Sequence, residues 1–366
     1  MVGTICGAFL RTIEGGAQWA VRSPVRDMVK SIADRSGTRP ERGERGLWYV
    51  PYDVERMEEV LSSEEFGVAQ RTMLNTSVLA CGHKAGCMQA TLRDQGAERF
   101  QMAKAVVDAT GNALITRLCG GELITEERYQ APSQVVHVNG VRDMTPEAMD
   151  LVLARAVLRA RSSGDDRAAE VKHVGIVHGS MRAGTVALKV TLAQRIIGNE
   201  EPGTLSDLGR AVASGVVHLL RETTEAFANA EVRAMAPELG VRTEQRPLGR
   251  EVLTADQVLS AGKPLNGVAV GAWPIEHWGD GPGAEMKWMT DGEHYLIPAG
   301  ALRSNTIDSL FFAGRGISAT EMAVASARVM GTCLATGYAA GMMAAHHALG
   351  KSEEEAIAVL RQEQLP

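Results

Sequence analysis

Residues 310–320 read LFFAGRGISAT, and the reading of this stretch decides the fold. Three apolar residues run into Ala313, Gly314, Arg315 and Gly316, and a helical pattern follows. A short strand that ends in glycine before a helix is how a chain builds a turn that cradles a phosphate or a cofactor, since glycine lets backbone N–H groups approach the ligand. The same grammar occurs upstream. Residues 105–111 read AVVDATG, an apolar run ending in Asp108, Ala109, Thr110 and Gly111, with a helix expected over 113–119.

Composition narrows the function classes. A chain of 366 residues is long enough for two domains or for one domain interrupted by another. Its formal net charge of -6 argues against nucleic-acid binding, which needs a basic face to meet phosphates. Aromatic residues make up only 4%, whereas glycines number 39, a balance suited to close-packed helices and backbone turns. The five cysteines, Cys6, Cys81, Cys87, Cys119 and Cys333, show no paired spacing of a secreted disulfide framework. Cys81, His83 and Cys87 raise the question of a metal site, but zinc wants four ligands and no second pair follows at a suitable spacing. A strand, a turn and a second strand is the preferred reading, with no metal.

The N-terminal residues lack a basic leader followed by an apolar stretch, so no signal peptide is expected. Residues 329–345, VMGTCLATGYAAGMMAA, are long and uncharged, yet Ala, Gly, Met and Thr give weak drive into lipid. A tightly packed buried helix is expected there, in a soluble cytoplasmic protein.

Working outward, residues 35–45 read as a polar loop, and Asp53 is expected to cap a helix whose apolar face is Met57, Val60 and Leu61. Three strand-like runs follow, the last ending at the AVVDATG turn, and they suggest an antiparallel β-meander. Beyond residue 125 come a strand near 129–141, a helix over 146–161 capped by Thr145, strands in HVGIVHG and GTVALKVTLAQRI, and a helix over 205–235. A short amphipathic helix closes the chain at 352–364.

Taken in order, VVDATGN after the meander, VLTADQVLSAGKP and GAWPIEHWG in the middle, YLIPAGAL, and LFFAGRGISAT with SARVMGTCLATGYAAGMMAA resemble the FAD-dependent oxidoreductases of the glutathione-reductase-like superfamily. The resemblance covers essentially the whole chain. It implies an α/β fold: a Rossmann-like FAD-binding domain with a β-meander, plus an inserted α+β substrate domain. The expected divisions are FAD-binding residues 1–124 and 299–350, a substrate domain over 125–298, and a C-terminal helix over 351–366. The sequence departs from the family at its start, where no GxGxxG appears in the N-terminal region, so the first strand-turn-helix of the Rossmann unit is expected to be missing. That lobe then lies on another polypeptide, lies upstream of the start, or has been lost.

The resemblance also implies roles. Gly314 and Arg315 would approach the ribityl chain and pyrophosphate, and Met330, Gly331, Thr332 and Cys333 would begin a helix aimed at the isoalloxazine, where N–H groups stabilise negative charge on the reduced ring. Val78, Asp108, Thr110 and Gly111 would lie toward the adenosine, although Asp108 can equally cap its own turn. Residues Trp273, Glu276, His277 and Trp278 read as one glycine-bracketed loop at the substrate, with His277 and Tyr295 as candidate catalytic groups and Arg246 as a further substrate contact. Arg250 stands where an acidic residue is expected. The implied activity is hydride transfer from a small organic substrate to flavin N5. The alternative is a non-catalytic remnant, or a subunit that needs a partner chain or a second copy to complete the flavin site.

Overall fold

A computed structural model of the chain describes residues 2–63, 72–84, 86–124, 130–193, 202–242, 245–279, 281 and 283–365, in a mixed α/β fold. Its centre is the parallel pair of strands Leu310–Phe312 and Val106–Asp108, with Leu310 beside Val106 and Phe312 beside Asp108. Leu310, Phe311 and Phe312 are buried on both faces, which is why that strand is an unbroken apolar run. The meander forms as an antiparallel sheet of Thr76–Lys84, Cys87–Asp94 and Ala97–Ala103. Its third strand stops short of the AVVDATG turn. Lys104 and Ala105 break the strand, and Val106 N then donates to Ser309 O, just before the parallel partner.

The largest core gathers both ends of the chain. Ile5, Val50, Val268, Ile297, Phe311, Ala339 and Leu360 belong to it, as do Ile275 and Tyr295. The N-terminal strand Val2–Cys6 pairs antiparallel with Trp48–Asp53. The helix Val25–Ser36 packs beside them through Val25, Val29, Ile32 and Ala33. The loop expected over 35–45 holds the last turn of this helix and the two-residue strand Glu41–Arg42. Asp53 caps Val54–Leu61, accepting from Glu55 N and Arg56 N, but Leu61 is exposed and leaves Met57 and Val60 as the packed face.

The helix Met330–Ala348 lies in the same core through Ala335, Ala339, Ala340 and Met343. Among the described residues no helix is long and apolar enough to cross a membrane. Glu353–Gln364 closes the chain behind a capping box of Ser352 and Glu355.

A second core is built by an antiparallel sheet in the order Val171–Ile176, Thr185–Leu192, Ser133–Asn139, Glu231–Met235, backed by the helices Pro146–Ser162 and Pro202–Thr223. Thr145 caps the first helix with Pro146 at its first position, as the sequence expected. The helix expected over 205–235 ends at Thr223 instead. Thr223 and Thr224 turn their hydroxyls back onto Leu219 O and Leu220 O, and Glu231–Met235 finds a sheet partner in Ser133–Asn139. The boundary expected at residue 125 falls on 125–129, outside the described residues.

Along Thr185–Leu192 the side chains alternate. Val186, Leu188 and Val190 enter the second core, while Lys189 points to the opposite face, toward Trp278. The seam between that face and the first core positions the site.

Candidate functional site

The two glycine turns meet. Gly111 has φ +77°, and a Cβ there would lie 2.4 Å from Arg315 Nε, so a side chain would be strained and would displace Arg315. Arg315 donates from Nε to Gly111 O at 3.1 Å and from a guanidinium N–H to Val241 O, tying one turn to the other and to the segment that follows Glu231–Met235. Asp108, 2% exposed, accepts from Thr110 N and Oγ1 through one oxygen and from Thr116 N and Oγ1 through the other. Its carboxylate is therefore engaged by its own turn. Asn112 Oδ1 is buried there without a partner. A side chain placed at Gly314 would meet nothing within 4 Å. Val78 stands on the meander, half-buried against the cluster that contains Phe312.

Helix Met330–Ala348 starts beside these turns. Its N-cap Val329 offers no capping side chain, so the first N–H groups are left to another acceptor. Gly331 admits Gly7 and Ala8, with Ala8 N only 2.5 Å from where a Cβ would be. Thr332 is fully buried with an unpartnered Oγ1, and Gly314 N donates to Thr336 Oγ1 at 3.1 Å. Met330 Sδ accepts from Tyr52 Oη at 3.6 Å. Burial pushes the Cys333 thiol up to about 12, so it is not a thiolate near neutral pH. Unpartnered buried oxygens, an open glycine and an uncapped helix start are what a ligand rich in hydroxyls, phosphates and ring carbonyls would satisfy. These residues fit FAD.

The GAWPIEHWG segment is not the loop expected. Residues Ile275–His277 form a strand paired with Glu285–Lys287, and strand alternation sends Glu276 and His277 to opposite faces. On one face, Glu276 accepts from Trp278 Nε1 at 2.7 Å and from Trp273 Nε1 at 3.2 Å, joining both indoles. Tyr49 meets Trp273 edge-on at 5.5 Å. On the other face, His277 Nε2 lies 3.8 Å from Glu321 Oε1, and Glu321 Oε2 accepts from Arg246 at 3.0 Å. Arg246 and Glu321 are 4% and 2% exposed, so this is a buried ion pair. Tyr295, also fully buried, shares a 2.8 Å hydrogen bond with Ser326, and burial raises its hydroxyl well above the usual phenol range. Arg250 pairs with Asp308 and Glu353 at the surface.

The Glu276 face is lined by residues that the sequence reading missed. Lys189 Nζ stands 4.8 Å and Arg242 Cζ 5.3 Å from the centre of the Trp278 ring. Arg328 donates to Glu276 O and to Gln130 Oε1, both at 3.1 Å. Burial depresses Lys189, against the pull of Glu276, and holds Arg242 down at about 9 with help from Arg328. Burial also opposes charge on Glu276, but Lys189, Arg328 and the two indole N–H groups outweigh it and keep the carboxyl below its ordinary value. Burial pushes nearby Cys6 to about 12. In sequence, Lys189 is one charge on an alternating strand, indistinguishable from a solvent-facing lysine; only the seam reveals it.

Cys81 and Cys87 lie on the first meander hairpin, with Cys87 opposite Lys84. Among the described residues no group of three or more His, Cys, Asp or Glu is placed to hold a metal ion.

A family model described as FAD dependent oxidoreductase matches residues 1–363. No curated protein matches the chain. Among solved structures, the chain is similar to CabE, an aromatic hydroxylase from angucycline biosynthesis, with 10% identity and a TM-score of 0.48 over 96% of this chain and 59% of that one. It is similar to OxyS anhydrotetracycline hydroxylase from Streptomyces rimosus, with 11% identity and a TM-score of 0.47 over 98% of this chain and 57% of that one. A triple mutant of the flavin-dependent brominase Bmp2 gives 14% identity and a TM-score of 0.40 over 92% and 71%. The chain thus spans less than two thirds of the length of either hydroxylase. It belongs to the FAD dependent oxidoreductase family, and its cofactor is FAD.

Proposed function

We propose that the chain oxidises a small organic substrate by delivering a hydride to N5 of bound FAD, in the manner of the glutathione-reductase-like flavoproteins. The observation that carries this reading is the meeting of two strand-to-glycine turns on one parallel strand pair, beside an uncapped helix start. When bound, FAD supplies the two-electron acceptor; the remaining roles belong to this chain's residues.

In this reading Gly111, Gly314 and Arg315 flank the pyrophosphate, Thr110 and Val78 lie toward the adenosine, and Asp108 shapes the turn. Met330, Gly331 and Thr332 present N–H groups and a hydroxyl to the ring, with Cys333 packed behind them. The substrate lies in the seam against Trp273 and Glu276. His277 and Arg246 brace the far side of the hairpin through Glu321, and Tyr295 holds Ser326 behind it. The sheet of residues 133–235 acts as an inserted substrate layer on a Rossmann-like unit. A partner chain or second copy that completes the flavin site is part of the same proposal.

An absorbance spectrum taken before and after adding FAD and removing the excess tests it. A yellow flavin band that stays with the protein, and bleaches anaerobically with an oxidisable substrate, is the expected result. A protein that stays colourless in FAD overturns the reading for this chain acting alone.

A further inference from the structure

We propose that Lys189, Arg242 and Arg328 bind the carboxylate of an anionic substrate, which rests on the reading of the seam as the substrate site. Two cations share one indole: Lys189 Nζ and Arg242 Cζ lie 4.8 and 5.3 Å from the Trp278 centroid. Arg242, 9% exposed, spends its N–H groups on Ala131 O and Ser133 Oγ, neither of which carries charge. Arg328 bonds to a backbone carbonyl and an amide oxygen, and its Nε is buried without a partner. Among the described residues Glu276 faces all three cations, while Glu321, paired with Arg246 on the other side of the hairpin, also acts on Arg328.

Among the described residues four cations, Arg246 included, share the two carboxylates Glu276 and Glu321, and crowding them partly out of bulk water is unfavourable unless another anion completes the set. Lys189, Glu276 and Arg328 keep partial exposure, so a solute can reach them. Trp273 and Trp278 are buried behind this face, and the half-buried ring of Tyr49 adjoins it. The geometry therefore fits a small carboxylate carrying an apolar ring or chain: charge toward Lys189 and Arg328, apolar part beside the half-buried Tyr49 ring. Guanidinium and ammonium donors give charge-assisted bonds that a neutral amide cannot replace.

The test uses the full chain after FAD loading, titrated calorimetrically with benzoate and succinate, and with benzamide and succinamide as neutral isosteres. At least one carboxylate is expected to bind saturably, to weaken as salt rises, and to lose at least tenfold in Lys189→Met, with recovery in Lys189→Arg. Its amide is expected to bind at least tenfold more weakly. Equal affinity for acid and amide, no binding of either acid, or full affinity in Lys189→Met overturns the proposal. So does a Lys189→Met variant that shifts the flavin midpoint potential while no carboxylate binds the parent, because the cations would then serve the flavin. FAD retention is read separately from the absorbance band: a yellow protein without carboxylate binding defeats this proposal alone, and a colourless one defeats the flavin reading.

Discussion

Lys189 and Arg242, more than fifty positions apart in the chain, hold their cationic groups over the ring of Trp278 at 4.8 and 5.3 Å. Each stabilises the ring face through its charge, and each destabilises the other. Removing one relieves that repulsion, while Glu276 keeps Arg328 and the indole N–H groups. Lys189→Met is therefore expected to change unfolding free energy by less than about 1 kcal/mol, in contrast to the loss usual for a buried position. Urea denaturation measures it, and a loss above about 2 kcal/mol would mean that Lys189 is a structural ion-pair member.

Glu276→Gln removes the counter-charge instead. With three cations left facing a neutral amide, a cost of about 2 kcal/mol is expected at neutral pH. The pH dependence has a definite sign. The folded carboxyl lies below its ordinary value of 4.5, so its stabilisation is complete above pH 4.5 and is lost as pH falls through the folded value. The difference between parent and variant should shrink toward pH 3, as followed by urea midpoints; a difference that grows with acid would contradict the charge argument.

Thr332→Val separates the apo protein from the loaded one. Thr332 Oγ1 is buried without a partner, so exchange for an isosteric methyl should leave the apo protein equal or about 1 kcal/mol more stable. If the hydroxyl serves FAD, the same variant loses FAD affinity about five- to tenfold. Thermal melts without cofactor and fluorescence titration with FAD give the two readings; unchanged FAD affinity would remove Thr332 from the cofactor site.

Gly111→Ala places a methyl 2.4 Å from Arg315 Nε at a φ of +77°. Strain and the displaced Arg315 contact should cost about 2 kcal/mol and loosen the junction of the two turns. A drop of several degrees in melting temperature, together with faster FAD release, is expected. An unchanged melt would mean that the turn relaxes freely.

Cys6 and Cys333 both titrate near 12 because burial disfavours their thiolates. At pH 8 neither should react with iodoacetamide in the folded protein on a timescale at which urea-unfolded chain is fully alkylated. Peptide mapping would detect rapid modification of Cys333, which would instead indicate a reactive thiol at the helix start.

Periodicity and turn chemistry were sufficient for much of the architecture. The apolar run before Gly314, the Asp53 and Thr145 caps, the meander and the two C-terminal helices are local features, set by side-chain spacing and the hydrogen bonds of neighbouring residues. The loop expected at 273–278 failed because strand pairing with residues 285–287, not local propensity, ordered it; that pairing is what splits Glu276 from His277. The helix expected through residue 235 failed for the same reason, since a sheet partner at residues 136–139 claimed its second half. Sequence alone determined the family, through motifs in order along one chain, and with it the cofactor. The tertiary structure alone decided the site's charge. Lys189, Arg242, Glu276 and Arg328 come from four separate segments, and the field of a buried cluster depends on distances through space that no spacing along the chain encodes.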